Sequence, residues 1–392
     1  MKIVAIGIGQ CGCNLADEFY AINNYSKSFF GRRIEILTDA FAINTDETDL
    51  TSLRHIPKDR HHRIAIGMAR TFGHGVGKVN IEGAKLMKDV IPVVIDDVLS
   101  SNKFYESDAV VVIASGAGGT GSGAIGWLVK GLKQRVDRPI YAIVVLPFAY
   151  EEKAEISYAV INSATCLKTV NQYADTVFLL DNERFGRGGI SLSNNFKLIN
   201  EQMVKNFFDL FCAGEEKTRK YVGSMVLDAG DIKQSLGGIS TIGRGEVTLP
   251  TFHRWRKDHY LEATRASVSL AGALDQAINN LCLNIDMEDA RKAMALVCAP
   301  KDVITMRALA EIANSLEGRS PQAVVRIGDY PRRGKETSVT IVLSTLTAVD
   351  RMESLFVRAE DLLKRRQKIE KDSDLKIEQM YAIGGEIPTL DQ

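Results

Sequence analysis

An α/β protein, with an N-terminal doubly wound parallel sheet followed by a smaller α+β part, is the fold class this sequence predicts. Three observations carry it. Over the first two hundred residues, short β-branched runs alternate with longer helical patterns, as strands do when crossover helices join them. Glycine-rich turns follow two of those runs at once, as where a strand hands over to a helix beside a ligand crevice. Beyond about residue 214 the order changes, and a helix precedes a group of strands.

Taken in order, Ile3–Ile8, Ile34–Ile43, Ala109–Ala114, Ile140–Leu146 and Thr176–Leu180 read as strands buried on both faces, because their apolar residues run on rather than alternate. Between them, Cys13–Ile22, Asn80–Leu99, Gly121–Arg135 and Glu152–Tyr173 carry helical patterns. A long helix over about Asn195–Cys212 closes this part, and Gly214–Arg219 is charged and loop-like. A helix at Leu261–Leu281 then precedes strands at Lys292–Cys298, Ala323–Gly328 and Ser338–Ser344. From Asp350 an amphipathic helix sets Met352, Leu355, Phe356, Ala359, Leu362 and Leu363 on one side, a core-facing stripe expected to pack on the α+β part. It runs into KRRQKIEKDSDLK, a solvated helix end.

Composition narrows the function. Lys and Arg number 49, and so do Asp and Glu, so no net field favours nucleic acid or an anionic membrane. Six cysteines are scattered, with Cys11 and Cys13 the one close pair and no further ligands to complete a metal set; this reads as reduced thiols in a cytoplasmic protein. The N-terminal apolar run is too short and too rich in glycine for a signal peptide. No run approaches the roughly 20 residues of a membrane span. The histidines, His61 and His62 among them, form no second ligand pair and are assigned to surface or packing.

The first strand ends in Gly7-Ile-Gly9-Gln-Cys-Gly12, a G-x-G-x-x-G. In a dinucleotide site an acid follows about 20 residues on, at the end of the second strand. Here that region reads GRRIEIL, and the acid at the strand's end is Asp46, much further along, so the spacing does not fit. A second loop sets the ligand class. AVVVIAS leads into Ser115-Gly-Ala-Gly-Gly-Thr-Gly-Ser-Gly123, with five glycines in the eight residues 116–123. So bare a backbone lets successive N–H groups turn inward on anionic oxygens. The helix that follows adds its positive end, and Thr120 and Ser122 add hydroxyls. No Gly-Lys-Ser/Thr follows, so this is not a Walker A loop. A third loop, Gly73-His-Gly-Val-Gly77, would complete the surround of one polyphosphate. The alternative is a set of tight turns that pack helix on sheet.

At GAGGTGSG the sequence resembles the tubulin/FtsZ superfamily, with Ala117 in place of a further glycine. The motif order agrees. GQCGCN (9–14) resembles the first nucleotide loop, AINTD (42–46) the second, GHGVG (73–77) the third, PFAYE (147–151) the ribose-side loop and LLDNE (179–183) the sixth. The long helix with Phe196 and Asn200 resembles the core helix at the base, and VLDAGD (226–231) the loop at its far end. The resemblance is dense over about residues 1–240. It implies a GTP-binding domain at 1–193, the core helix at 194–213, a loop region at 214–238, an α+β domain at 239–349 and a C-terminal helix and tail at 350–392.

It also implies GTP and GDP as ligands, with Mg²⁺ held through water and Gln10 supporting that water shell. Phosphate contacts would come from Gly9, Gln10, Cys11, Gly116, Ala117, Gly118, Gly119, Thr120 and Gly121, with Gly75 and Gly77 near the γ-phosphate. Asp46 and Glu151 would bind through the second and ribose-side loops. Amide side chains match guanine's donors and acceptor, which suits Asn14, Asn182 and Asn200. Phe196, one turn before Asn200, would stack on the base. Asp228 and Asp231 would orient the attacking water at the γ-phosphate of a neighbouring subunit; by spacing alone they read as helix N-caps. The partner implied is a second copy of the chain, stacked head to tail. Membrane-anchoring or regulatory partners would place the filament at the inner face of the cell membrane.

GQCG and LLDNE lean towards tubulin, and the length towards FtsZ. Asn200 stands where bacterial FtsZ usually has Asp, and Glu155 where it has Arg. That mixture is most similar to the CetZ branch, which implies a role in cell shape. A divergent FtsZ-like division protein is one alternative, and a nucleotide-dependent filament without efficient hydrolysis is another.

Overall fold

The computed structural model describes residues 1–28, 33–154, 157–186, 192–248, 259–333 and 336–383. Glu155 and His253 lie outside them. The chain starts with β1 (Ile3–Ile8), α1 (Gly9–Lys27), β2 (Leu37–Asn44), α2 (Glu47–Ser52), β3 (Arg63–Ala65) and α3 (Met68–Thr71). It continues through α4 (Asn80–Ser100), β4 (Ala109–Ser115), α5 (Thr120–Lys133), β5 (Ile140–Leu146), α6 (Tyr158–Val170) and β6 (Thr176–Asp181). The long α7 (Leu192–Ala213) and short α8 (Ala229–Ser235) lead to β7 (Gly238–Thr248). The rest is α9 (His259–Asn279), β8 (Lys292–Ala299), α10 (Met306–Arg319), β9 (Val324–Pro331), β10 (Glu336–Leu346) and α11 (Asp350–Ile383).

One sheet holds these strands in the order β3-β2-β1-β4-β5-β6-β7-β10-β8-β9. The first six are mutually parallel. β7 joins β6 in parallel over Thr176–Phe178 and Gly238–Ser240 only, and then pairs antiparallel with β10 along its whole length. The chain steps outward from β1 to β3, then returns to β4 on the other side of β1. That reversal is a topological switch point, where the helices that follow β1 and β4 go to opposite faces of the sheet and leave a crevice.

Both faces of the sheet are covered, which explains the unbroken apolar runs. In β4, Val110, Val112 and Ala114 enter one core, and Ala109, Val111 and Ile113 enter the other. The predicted strands and long helices are present, with shifted ends. β2 starts at Leu37 rather than Ile34, and α6 at Tyr158 rather than Glu152. The strand expected after His61 and His62 is β3, while α2, α3, β7 and α10 were not anticipated. β7 is hidden in the sequence because α9 lies directly on its glycines. A Cβ at Gly243 would stand 2.2 Å from Ala277 O, and one at Gly245 2.0 Å from Ala273 O. The missing side chains that admit the helix are the ones that would have advertised a strand. The stripe on α11 buries Leu355, Ala359 and Leu362, while Leu363 is exposed. Its neighbour is α6 of the first half rather than the α+β part, and the two share one core cluster.

Candidate functional site

At the switch point lies a cleft of about 460 Å³. Gly9 turns the chain from β1 into α1 at φ +69°, and a Cβ there would stand 2.9 Å from the Gly121 amide nitrogen, so the first and second glycine loops meet backbone to backbone. Gly118 faces open space, with no atom within 4 Å of where its Cβ would be. α1 and α5, whose first residues line the cleft, have Ile8 and Gly119 at the N-cap and no side-chain cap. α3, α4 and α6 likewise lack a side-chain cap, whereas α2, α8 and α10 are capped by Asp46, Asp228 and Thr305. An uncapped helix start leaves N–H groups unpaired, and an anion is their natural partner.

Two contacts hold the loops together. Thr45 and Thr120 share a hydroxyl–hydroxyl hydrogen bond of 2.6 Å. Buried Asn162 of α6 donates Nδ2 to Lys78 O at 2.8 Å and to Ala117 O and Gly118 O at 3.2 Å each, stapling the second glycine loop to the third. Asn162 carries no motif, and its role follows only from the fold.

Gly9, Gln10, Cys11, Asn14, Asp46, Gly75, Ala117, Gly118, Gly119, Thr120, Gly121, Glu151, Asn182, Phe196 and Asn200 all line this one cleft. Gly116 and Gly77 do not. Gly116 backs onto Ser163 of α6, 3.1 Å from its Oγ to a built Cβ, and Gly77, at φ +57°, has no atom within 4 Å of a built Cβ. Phe196 is 43% exposed and meets Phe148 edge-on, with ring centroids 6.0 Å apart. Asn182 opens a 3-10 turn that Asp181 caps.

Sequence reasoning missed Asn44, Asp49 and Lys78 on the same wall. Asp49 had a readable signal: it lies three residues past the N-cap Asp46, at a helix start. Lys78 is the one cation lining the cleft among the described residues, against the carboxylates of Asp46, Asp49 and Glu151. Burial and then the charge of Asp46 push the Asp49 carboxyl above its usual range, opposed by the Asn44 and Gln10 side chains that bond it. An oxygen-rich set of this kind fits a hard dication approached through water. Among the described residues no three His, Cys, Asp or Glu side chains form a direct metal cluster. Burial pushes the Cys11 thiol up to about 12, with the Glu151 charge adding to it, so Cys11 is a neutral wall group.

Asp228 and Asp231 sit at the other end of α7. A Cβ at Gly214, just past α7, would stand 3.0 Å from Asp228 Cα. The 22 residues of α7 span about 33 Å. The two acids form a reciprocal capping box: Asp231 N–H donates to Asp228 Oδ1 at 2.9 Å, and Asp228 N–H to Asp231 Oδ2 at 3.3 Å. Arg326 of β9 donates to Asp231 Oδ1 at 2.6 Å, a contact the sequence did not suggest.

Known proteins are similar to this chain in sequence and fold. The Tubulin/FtsZ family, GTPase domain, matches residues 2–189, and the Tubulin-like CetZ, C-terminal domain, matches residues 189–361. Over 371 residues the chain is 30% identical to tubulin-like protein CetZ1 of Haloferax volcanii, covering 91% of each. The chain belongs to the tubulin/FtsZ superfamily, in its CetZ branch. Solved members of the branch have the same fold. A GDP-bound CetZ1 monomer from Haloferax volcanii is 27% identical with a TM-score of 0.78, covering 92% of this chain and 99% of that one. A GTPγS-bound protofilament of CetZ2 from the same organism is 27% identical with a TM-score of 0.80, covering 94% and 100%. The family's GTPase domain thus carries the glycine loops, and α7 opens the CetZ-type second part.

Proposed function

We propose that this protein is a cytoskeletal GTPase that stacks head to tail into filaments and hydrolyses GTP where two subunits meet. The observation that carries the reading is the pair of uncapped helix starts, α1 and α5, facing one cleft at the switch point. Their N–H groups and the glycine loops would take the phosphates. Asp46 and Asp49, with Gln10, would hold Mg²⁺ through water, and bound Mg²⁺ offsets phosphate charge. Phe196 would stack on guanine, with Asn14, Asn182 and Asn200 at its polar edge.

Asp46 and Asp49 of the cleft are given to Mg²⁺ in this reading, and the DAGD acids stand past the far end of α7, about 20 Å of helix beyond Asn200. The next subunit would bring them to the γ-phosphate. Exposed apolar residues support such stacking: Val222, Met225 and Val226 precede the acids, and Phe72 and Tyr150 lie on the cleft's loops. Two different apolar patches on one molecule suit a heterologous, open-ended contact. The GTPγS-bound CetZ2 protofilament supports the same arrangement. Kinship with CetZ proteins favours cell shape over division. No helix among the described residues is long and apolar enough to cross a membrane, so attachment there would need a partner.

The deciding measurement is phosphate release with GTP and Mg²⁺ across a protein concentration series, with light scattering in parallel. Specific activity should rise above the concentration at which scattering appears. Activity strictly proportional to protein would mean a self-contained site and remove the role given to Asp228 and Asp231. Scattering induced by GTP without phosphate release would mean a filament that does not hydrolyse.

A further inference from the structure

The segment read from sequence as the start of a helix, at Glu152, is instead a loop end with a buried carboxylate. The Glu152 side chain is 4% exposed. A carboxylate so far from water is strongly disfavoured unless it is paired. Both its oxygens are taken, each by a different arginine of α11: Arg351 bonds Oε1 and Arg358 bonds Oε2. Seven residues apart, the two arginines share one helix face with the buried Leu355. Arg358 also donates to Glu152 O at 3.0 Å, and Arg351 to Pro147 O at 3.0 Å. The Pro147–Glu152 loop is therefore gripped at both ends by one helix. Between them stands Glu151, on the cleft wall, whose carboxylate accepts from Phe148 N–H at 3.0 Å. Phe148 in turn supports Phe196.

Arg351 reaches a second wall as well. Its Nε lies 3.1 Å from Asp181 Oδ2. Asp181 caps the turn that begins with Asn182, a cleft residue. One arginine, outside the cleft, thus ties together the loops that carry Glu151 and Asn182.

We propose that Arg351 and Arg358 of α11 are positioning residues for the nucleotide site: through Glu152 and Asp181 they latch the two loops that close over the nucleoside. This rests on the reading that guanine nucleotide occupies the cleft. Loosening the latch lets both loops move and shortens the time nucleotide stays bound, while the phosphate loops, held by Asn162 and Thr45, are untouched. Any partner that lifted α11 would have the same effect.

The test is stopped-flow release of a fluorescent GDP from the full chain, beside thermal unfolding of the nucleotide-free protein. Arg358→Gln, whose side chain is partly exposed and whose loss the fold should tolerate, is expected to release GDP about tenfold faster, within the range that coupled charge networks give. Arg351→Gln should do the same or more, and Arg358→Lys should recover much of the loss. Arg365→Ala, which removes the exposed pair with Asp361 on the same helix, should release GDP at the wild-type rate. Leu362→Ala supplies the control for general loosening. If it speeds release as much as Arg358→Gln at an equal fall in Tm, the arginines are merely structural and the proposal fails. Release within twofold of wild type in folded Arg358→Gln and Arg351→Gln overturns it too. A wild-type protein that binds no GDP overturns the functional reading first, and the latch with it.

Discussion

Asp231 is bonded from three directions: it caps Asp228 N–H, its own N–H is capped by Asp228, and Arg326 holds its carboxylate. The capping that spacing alone suggests is therefore present, and it leaves the acid fixed and partly exposed at the subunit's end. Asp231→Ala should lower GTP turnover on the order of 10²-fold or more, as removal of a water-orienting group does, and should leave GTP affinity nearly intact. Equal losses in steady-state turnover and equilibrium binding would count against the role. His62 shows the opposite case, a residue that does not line the cleft. It stacks on Phe41 and lies 3.2 Å from Asp39 and 2.7 Å from Asp59. Hydrogen bonding to Asp39, then to Asp59, outweighs partial burial and raises its pKa above the ordinary 6.5. A raised pKa means that the charged form contributes stability fully below 6.5, and that this is lost as pH rises through the folded value. His62→Gln should cost about 1 kcal/mol in acid-side unfolding titrations, and the difference from wild type should shrink as the pH rises past neutral.

At the scale of elements, the cleft depends on how closely α4 and α5 approach. A Cβ at Gly123 would stand 2.0 Å from Asn80 O, and one at Gly83 2.5 Å from Gly119 O. The helices meet backbone to backbone at the end where α5 offers its N–H groups. Gly123→Ala should destabilise the nucleotide-free protein by about 3 kcal/mol through forced separation, measured by urea unfolding, and should weaken GTP binding because the start of α5 moves. In the sequence the glycines of 116–123 read as one phosphate loop, and nothing is assigned to Gly83. Gly118 and Gly119 are on the cleft wall, but Gly123 and Gly116 serve packing instead, and a glycine pattern does not separate the two uses. β4 and β5 were legible almost to the residue because strands covered on both faces need apolar side chains throughout. β7 was not, because its neighbour demands glycine at Gly243 and Gly245.

Across the whole molecule, each of the two cores runs from the first half into the second. One joins Val4 and Val112 to Ile341 and Leu362, and the other joins Ile3 and Phe207 to Leu296 and Val342. The β6–β7 pairing makes the sheet continuous between them. Unfolding in urea should therefore follow one transition by fluorescence and by circular dichroism alike. GDP at about a hundredfold excess over its Kd should add about 2.7 kcal/mol to that one transition. Two transitions, only the first shifted by GDP, would show that the halves unfold separately.

The sequence by itself determined the parallel strands of the first half and the glycine loops that end them, and from those loops came the expectation of a polyphosphate ligand. Those features are local: a strand buried on both faces and a backbone that must approach an anion each restrict residue type at successive positions. Only the tertiary structure decided which groups meet. It brought Lys78 and Asp49 to the cleft wall and Asn162 to the loops that form it, set Asp231 against Arg326, and docked α11 on α6 so that Arg351 reaches Glu152, 199 residues away in the chain. A lone arginine or asparagine satisfies the same local rules on any exposed surface, and its partner is fixed by burial and long-range packing, which no short stretch of sequence records.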